Sequence, residues 1–400
     1  MVLYKNEPLT GHPCSRPMAR ECVATLPASY FSDPKVFNLE LQAIWSREWI
    51  YACHENRLRM TSPLEMTLAT FPISLCLSES GSVAGSLNAL TGKPDSRRIH
   101  THVLNGFVFV NFSDAPPPFE STHVGLADEF KSVEHVFTEA EFDFWGHLSL
   151  PGAFNWKVFS DNYNECYHCP TSHPQFSKVY KIPSYVVDAR EGYFVHSVEE
   201  RQEGGKAAAA SNASVTELLL TESNESFPME AKRLYDESYS ALNQKIKEYA
   251  KANPPRARAK AHEGGLFVHV FPNVGINVFG DFVTTLRWNP ASHEKTLLQL
   301  EVFVRKGVSE AEMLRFSNFL KWVEIEDYVL CEATQKNLAL GVYQVGVLHP
   351  FRENGLVHSQ AQIRKRLVEY VSQERELKEK VGKQRDSSTT LSEESGTLLN

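Results

Sequence analysis

Residues 161–175 read DNYNECYHCPTSHPQ and gather two histidines, two cysteines and two acids in one short stretch. Read as a helix end over residues 154–168, the stretch puts Glu165 and His168, three apart, on one face. His173 lies five beyond His168, about 140° away on a regular helix. Pro170 removes a backbone donor and ends or kinks that helix, which lets His173 swing back beside His168. Two imidazoles converging at a helix break suit a divalent transition metal. Three other chemistries use the same residues. The histidines can be satisfying buried hydrogen bonds at a helix end. Cys166 or Cys169 can be a histidine-activated nucleophile, although no oxyanion signature flanks it. Cys166, His168, Cys169 and His173 can hold a structural zinc, although no second pair of ligands is at hand to staple a fold. A two-histidine site needs a carboxylate from elsewhere, and residues 323–335, VEIEDYVLCEATQ, offer Glu324, Glu326 and Asp327 on an otherwise apolar helix. Two histidines and one carboxylate make the facial triad of non-haem Fe(II) oxygenases, with positions left for O₂ and substrate.

The elements that must position these residues suggest an α+β chain of two domains. Asp33-Pro34 reads as a cap and first helical residue for a helix through KVFNLELQAIWSREW. MTLATFPISLCLSESGS alternates like strands, and Asn105-Gly106 in THVLNGFVFVNF is a hairpin turn signal. SDAPPPF, residues 113–119, is a proline-stiffened linker, so a β-rich domain spans 1–120 and a second domain spans 140–371. Residues 200–262 read as a helical or mobile insertion, followed by antiparallel strands through 266–305. Ser309-x-x-Glu312 is a capping box opening a long helix. Residues 372–400, charged and Ser/Thr-rich without periodicity, read as a disordered tail.

Composition narrows the partners. A net charge of -8, from 41 Lys and Arg against 49 Asp and Glu, disfavours nucleic acid and favours small molecules. The N-terminus has no apolar run of signal-peptide length, no stretch approaches a membrane span, and seven scattered cysteines fit reduced thiols, so a cytoplasmic protein is expected.

NYNECYHCPTSHP resembles the mononuclear-iron motif of Rieske non-haem iron oxygenase α subunits, in particular the choline and carnitine monooxygenase-like branch. The resemblance runs from about Leu26 to about Tyr370, through LPASYFSDPKVFNLELQAIWSREWIYACHENRL, GFVFVNF and EDYVLCEATQKNL. It implies a helix-grip-like antiparallel catalytic domain with long helices behind a Rieske-like β domain. It implies His168, His173 and Asp327 as ligands of a mononuclear Fe(2+), and Glu165 as the acid coupling that iron to a cluster on a neighbouring subunit. It further implies a homo-oligomer, a trimer by family, using O₂ to hydroxylate or N-demethylate a small molecule. Quaternary ammonium groups bind aromatic faces, and Tyr163, Tyr167, Phe271, Phe279 and Trp288 are candidates to line such a pocket, each equally suited to the core.

One feature of the family is missing. A Rieske [2Fe–2S] cluster needs two cysteines and two histidines, marked by C-x-H and a later C-x-x-H. The sequence has no C-x-x-H, and its single C-x-H is Cys166-Tyr167-His168 inside the iron motif. ISLCLSESGSVAGSLNALTGKPDS runs from one family-like strand directly into another family-like segment. No [2Fe–2S] cluster is expected on this chain, so electrons for an oxygenase would come from an electron-donor reductase, a cluster-bearing partner or a substrate that supplies its own. The alternatives are a non-catalytic helix-grip binding or regulatory subunit, and a metal-dependent non-redox lyase or hydrolase.

Overall fold

The structure, a computed structural model, describes residues 23–88, 97–138, 141–199, 227–256 and 266–394. The first short strand, β1 (Val23–Ala24), precedes a helix over Pro34–Glu40. Asp33 caps that helix, accepting from the Lys35 amide at 2.8 Å, and a π turn over Leu41–Trp45 continues it. The next six strands are β2 (Ile50–His54), β3 (Leu64–Leu68), β4 (Phe71–Leu77), β5 (Val83–Leu87), β6 (Arg97–Leu104) and β7 (Phe107–Asn111). They form one antiparallel sheet in the order β2-β7-β6-β5-β4-β3. Asn105 and Gly106 turn β6 into β7 with φ of 50° and 84°. Glycine is required there twice over, because a Cβ on Gly106 would lie 2.3 Å from His54 Nε2. The segment between β4 and β5 is a tight turn. Ser78 donates its amide to the Ser82 carbonyl at 2.9 Å, and Gly81 donates back to Ser78 at 3.0 Å.

The second sheet holds β8 (Phe142–Gly152), β9 (Val186–Ala189), β10 (Tyr193–Ser197), β11 (Leu266–Val270), β12 (Val274–Phe279), β13 (Phe282–Ser292) and β14 (Lys295–Arg305). Its antiparallel order is β8-β14-β13-β12-β11-β10-β9. Alternation along β13 sends Thr285, Arg287 and Asn289 to one face and Thr284, Leu286 and Trp288 to the other. The first face meets the N-terminal sheet: the Ala69 amide donates to Asn289 Oδ1 at 2.6 Å, and Arg287 donates to the Ala52 carbonyl. The second face is covered by helices Trp156–Tyr163 and Glu310–Ala339, the latter opened by the expected Ser309–Glu312 box. A last strand, β15 (Val347–Leu348), pairs with β1.

Three expectations need correction or fall partly out of view. Residues 372–394 continue the helix Asn354–Glu394. SQERELKEK is built from strong helix formers with Glu-to-Lys spacings of four, and that propensity outweighs its charge. Of the 200–262 segment, residues 227–256 are described and carry the helix Met229–Ala252; the rest lies outside the described residues. Finally, not all cysteines are reduced, since Cys166 and Cys169 form a disulfide. Among the described residues, no helix is long and apolar enough to cross a membrane.

Candidate metal centre

Asn155 starts the helix that leads into the site by accepting from the Lys157 amide at 3.0 Å. The helix stops at Tyr163, earlier than its apolar pattern predicts. Asn164 caps it, because its side-chain amide is engaged by the Ser160 carbonyl at 2.7 Å and by His269 Nδ1 at 2.9 Å. Glu165 and His168 therefore lie on a loop rather than on one helical face. Pro170 also acts opposite to expectation. It sits in the first turn of a new helix, Cys169–Ser172, where its missing N–H costs nothing. Pro174 opens another, Pro174–Val179. His173 is the joint between the two short helices, which turns it back toward His168.

Three polar atoms converge there. His168 Nε2 and His173 Nε2 are 3.1 Å apart, and Asp327 Oδ1 lies 3.3 Å from the first and 3.0 Å from the second. Ligands about 2.1 Å from one ion stand about 3.0 Å apart at right angles and about 3.4 Å apart in a tetrahedron. The spacing is that of one face of a metal coordination shell. Behind it, Glu326 accepts from His173 Nδ1 at 2.8 Å, and Glu165 takes His168 Nδ1 and the Tyr167 amide. Carboxylates on both Nδ1 atoms fix the tautomer that directs each Nε2 lone pair inward. Without metal the cluster holds protons instead. Burial by itself pushes His168 down, but Asp327 and Glu165 overcome it and raise it to about 10. Burial likewise opposes His173, which Asp327 and Glu326 lift to about 9. Asp327 is pushed up by burial but held far below the usual carboxylate range by the two imidazoles. Metal binding must expel those protons.

Cys169 Sγ is also near, 4.0 Å from His168 Nε2, and the ligand atoms of His168, Cys169 and His173 lie within 4.8 Å of one another. The sulfur is bonded to Cys166, so it is not a thiolate ligand in this state. That bond also removes the zinc set of two cysteines and two histidines, and it leaves neither cysteine free as a nucleophile.

The acids of the long helix divide their work. Asp327 reaches both imidazoles, Glu326 backs His173, and Glu324 accepts from Tyr239 at 3.0 Å with its carboxyl pushed up to about 8 by burial. The aromatic candidates do not form a cage. Trp288 is sealed in the core and donates to the Pro272 carbonyl at 2.8 Å, and Phe271 is buried beneath Arg366. Phe279 packs against Phe316 and Phe319. Tyr167 is exposed, with the Arg352 guanidinium 5.6 Å from its ring centre. Tyr163 donates to Asn277 Oδ1 at 2.6 Å, its ring beside Trp288, His196 and His269. The two histidines escaped the sequence reading, although each is a polar residue on the helix-facing side of an apolar strand. Burial depresses both to about 3, so they stay neutral.

The chain is similar to known proteins. The ring hydroxylating alpha subunit (catalytic domain) family matches residues 139–369. The chain is 21% identical to the glycine betaine monooxygenase oxygenase subunit of Pseudomonas aeruginosa (strain UCBPP-PA14), over 85% of this chain and 88% of that protein. It is 23% identical to the chloroplastic choline monooxygenase of Amaranthus tricolor, over 58% of this chain and 41% of that protein. A quaternary ammonium Rieske monooxygenase solved with its substrate L-carnitine superposes with a TM-score of 0.63 at 15% identity, covering 86% of this chain and 96% of the other. At that identity the superposition speaks for the fold.

Proposed function

The chain belongs to the ring hydroxylating alpha subunit family, and we propose that it is a mononuclear non-haem iron oxygenase holding Fe(II) on His168, His173 and Asp327. The observation that carries the proposal is the spacing of their three ligand atoms, 3.0 to 3.3 Å, behind which each imidazole is backed by a carboxylate. Bound there, ferrous iron would supply the activation of O₂ for oxygen insertion into a C–H bond. The protein's part is to hold the Nδ1 protons on Glu165 and Glu326, present both Nε2 lone pairs, and place the Asp327 carboxylate beside them. The names of the relatives point to a small substrate bearing a quaternary ammonium group, hydroxylated or N-demethylated.

The missing C-x-x-H leaves electron supply to another polypeptide, a reductase or a cluster-bearing subunit of an oligomer. Glu165 is the contact for it in this reading: its side chain is 14% exposed and reaches His168 directly, beside the exposed Tyr167. Anaerobic reconstitution with Fe(II) followed by metal analysis tests the site. About one iron per chain is expected for the native sequence, with sharp loss in His168→Ala, His173→Ala and Asp327→Ala. Full iron in all three variants would remove the proposal.

A further inference from the structure

We infer that Cys169 is a fourth ligand of the metal centre held in reserve, kept out of the coordination shell by its disulfide to Cys166 and admitted when that bond is reduced. The inference rests on the iron-site reading above. The disulfide encloses Tyr167 and His168, so a proposed ligand lies inside a four-residue ring. A ring that short constrains the unfolded chain least of all, which makes it a poor stabilising staple. Its position is better explained by what it does to the sulfur. Cys169 Sγ already stands 4.0 Å from His168 Nε2. A metal about 2.1 Å from a nitrogen and about 2.3 Å from a sulfur sets the two about 3.1 to 3.6 Å apart. Against His168 Nε2 the sulfur is therefore short of a coordinating distance by less than about 1 Å, and the spread of up to 4.8 Å among the three ligand atoms is the gap that the freed side chain must close toward His173.

The backbone holds Cys169 in place for that movement. Its carbonyl accepts from the His173 amide at 3.0 Å and from Ser177 Oγ at 3.1 Å, so opening the disulfide frees the side chain and not the helix turn. Cys166 lies on the loop and has no such anchor in a helix. Cys166 and Cys169 are themselves buried, at 7% and 4% exposure, and Tyr167 between them is exposed.

The chemistry balances with a dithiol as reductant. Its thiolate attacks one sulfur, the Cys166–Cys169 bond breaks, and the two electrons and two protons gained from the dithiol convert Cys166 and Cys169 to thiols. The dithiol ends as its own disulfide. On metal binding Cys169 releases its proton to solvent. In the disulfide form the centre has three protein ligands and open positions for O₂ and substrate. In the dithiol form sulfur would fill one of them, which would favour softer ions and leave fewer positions for O₂ and substrate.

Cobalt gives a readout independent of turnover. Full-length protein is loaded anaerobically with Co(II) before and after a water-soluble trialkylphosphine. The phosphine becomes its oxide, with water supplying the oxygen and the two thiol protons. Reduction should expose two more titratable thiols per chain, leave cobalt stoichiometry unchanged, and bring up a sulfur-to-cobalt charge-transfer band in the near ultraviolet. Cys169→Ser should lose the band, and Cys166→Ser should show it with no phosphine added. An unchanged thiol count, identical cobalt spectra before and after reduction, or a band surviving in Cys169→Ser would overturn the inference alone. Cobalt bound by neither form would overturn the iron-site reading and this one with it.

Discussion

Glu326 separates a carboxylate that tunes a ligand from one that is a ligand. Its Oε2 is 2.8 Å from His173 Nδ1, with both side chains nearly sealed at 4% and 5% exposure. Glu326→Gln keeps the shape and leaves an amide carbonyl to accept the same proton, but removes the charge. Hydrogen bonds to charged groups contribute about 1.5–3 kcal/mol, and neutral ones about 0.5–1.5. The loss is therefore about 1–2 kcal/mol, which weakens metal binding by about 5- to 30-fold. This agrees with the 10- to 100-fold typical of groups that orient metal ligands. The assay is an anaerobic competition titration of Fe(II) or Co(II) against a chelator, with His173→Ala alongside. An affinity within about twofold of the native protein would refute the argument that the carboxylate sharpens His173. A loss as deep as His173→Ala would refute it from the other side, making Glu326 a ligand and Asp327 its support.

Three further outcomes follow from the surroundings of the site. A Cβ on Gly275 would lie 2.4 Å from the Tyr163 ring and hydroxyl, which Trp288 and His196 pen in. Gly275→Ala should cost about 1–3 kcal/mol in urea unfolding, and a neutral result would show that Tyr163 has room to move. Lys157 and Glu40, both without exposure, pair at 2.7 Å. Lys157→Met strands the carboxylate and should cost about 3–5 kcal/mol, part of it recovered by adding Glu40→Gln; no recovery would count against the pair. His196 and His269 stay neutral down to about 3, and His123 to about 4, all lowered chiefly by burial. The unfolded chain binds the extra protons, so stability is full above about pH 6.5 and falls as pH drops toward those values. At pH 5 each histidine costs up to about 2 kcal/mol. Urea midpoints at pH 7 and 5 should differ less in His196→Gln than in the native protein, and an equal difference would exclude that histidine.

The sequence was most legible where one residue's chemistry decides a local event. Ser309 and Glu312 satisfy each other's backbone amides, and Asn105-Gly106 supplies two positive φ values for a two-residue turn. It was least legible where a distant partner decides. Periodicity ran the helix through His168, but His269 and the Ser160 carbonyl take the Asn164 amide and end it at Tyr163. Proximity in sequence made Glu324, Glu326 and Asp327 interchangeable as ligands. Only the packing of the helix, with Glu324 beneath Tyr239, gives them separate partners. The disulfide was hidden for a related reason, since a cysteine count reports an average redox habit and not the conformation of one loop.

β13 shows how the N-terminal sheet supports the candidate metal centre at a distance from the β4–β5 turn. Nearly the whole strand is buried, so its hydrophobicity carries no alternation, yet its two faces differ in chemistry. The even-numbered residues support the helices of the site through Leu286 and Trp288. The odd-numbered ones meet backbone groups of the N-terminal sheet, where buried polar atoms need partners, and Arg287 and Asn289 supply them. Asn273 adds a reciprocal pair with the Tyr51 backbone, donating at 3.1 Å and accepting at 3.0 Å. All of these contacts involve Tyr51, Ala52, Thr67 and Ala69, in β2 or at the end of β3. The turn Ser78–Ser82 is exposed at the opposite end of the β4–β5 hairpin. The N-terminal sheet can therefore serve as the second layer beneath the catalytic sheet with or without a cluster. Whether a cluster is present bears on where electrons come from, and not on whether His168, His173 and Asp327 are held together.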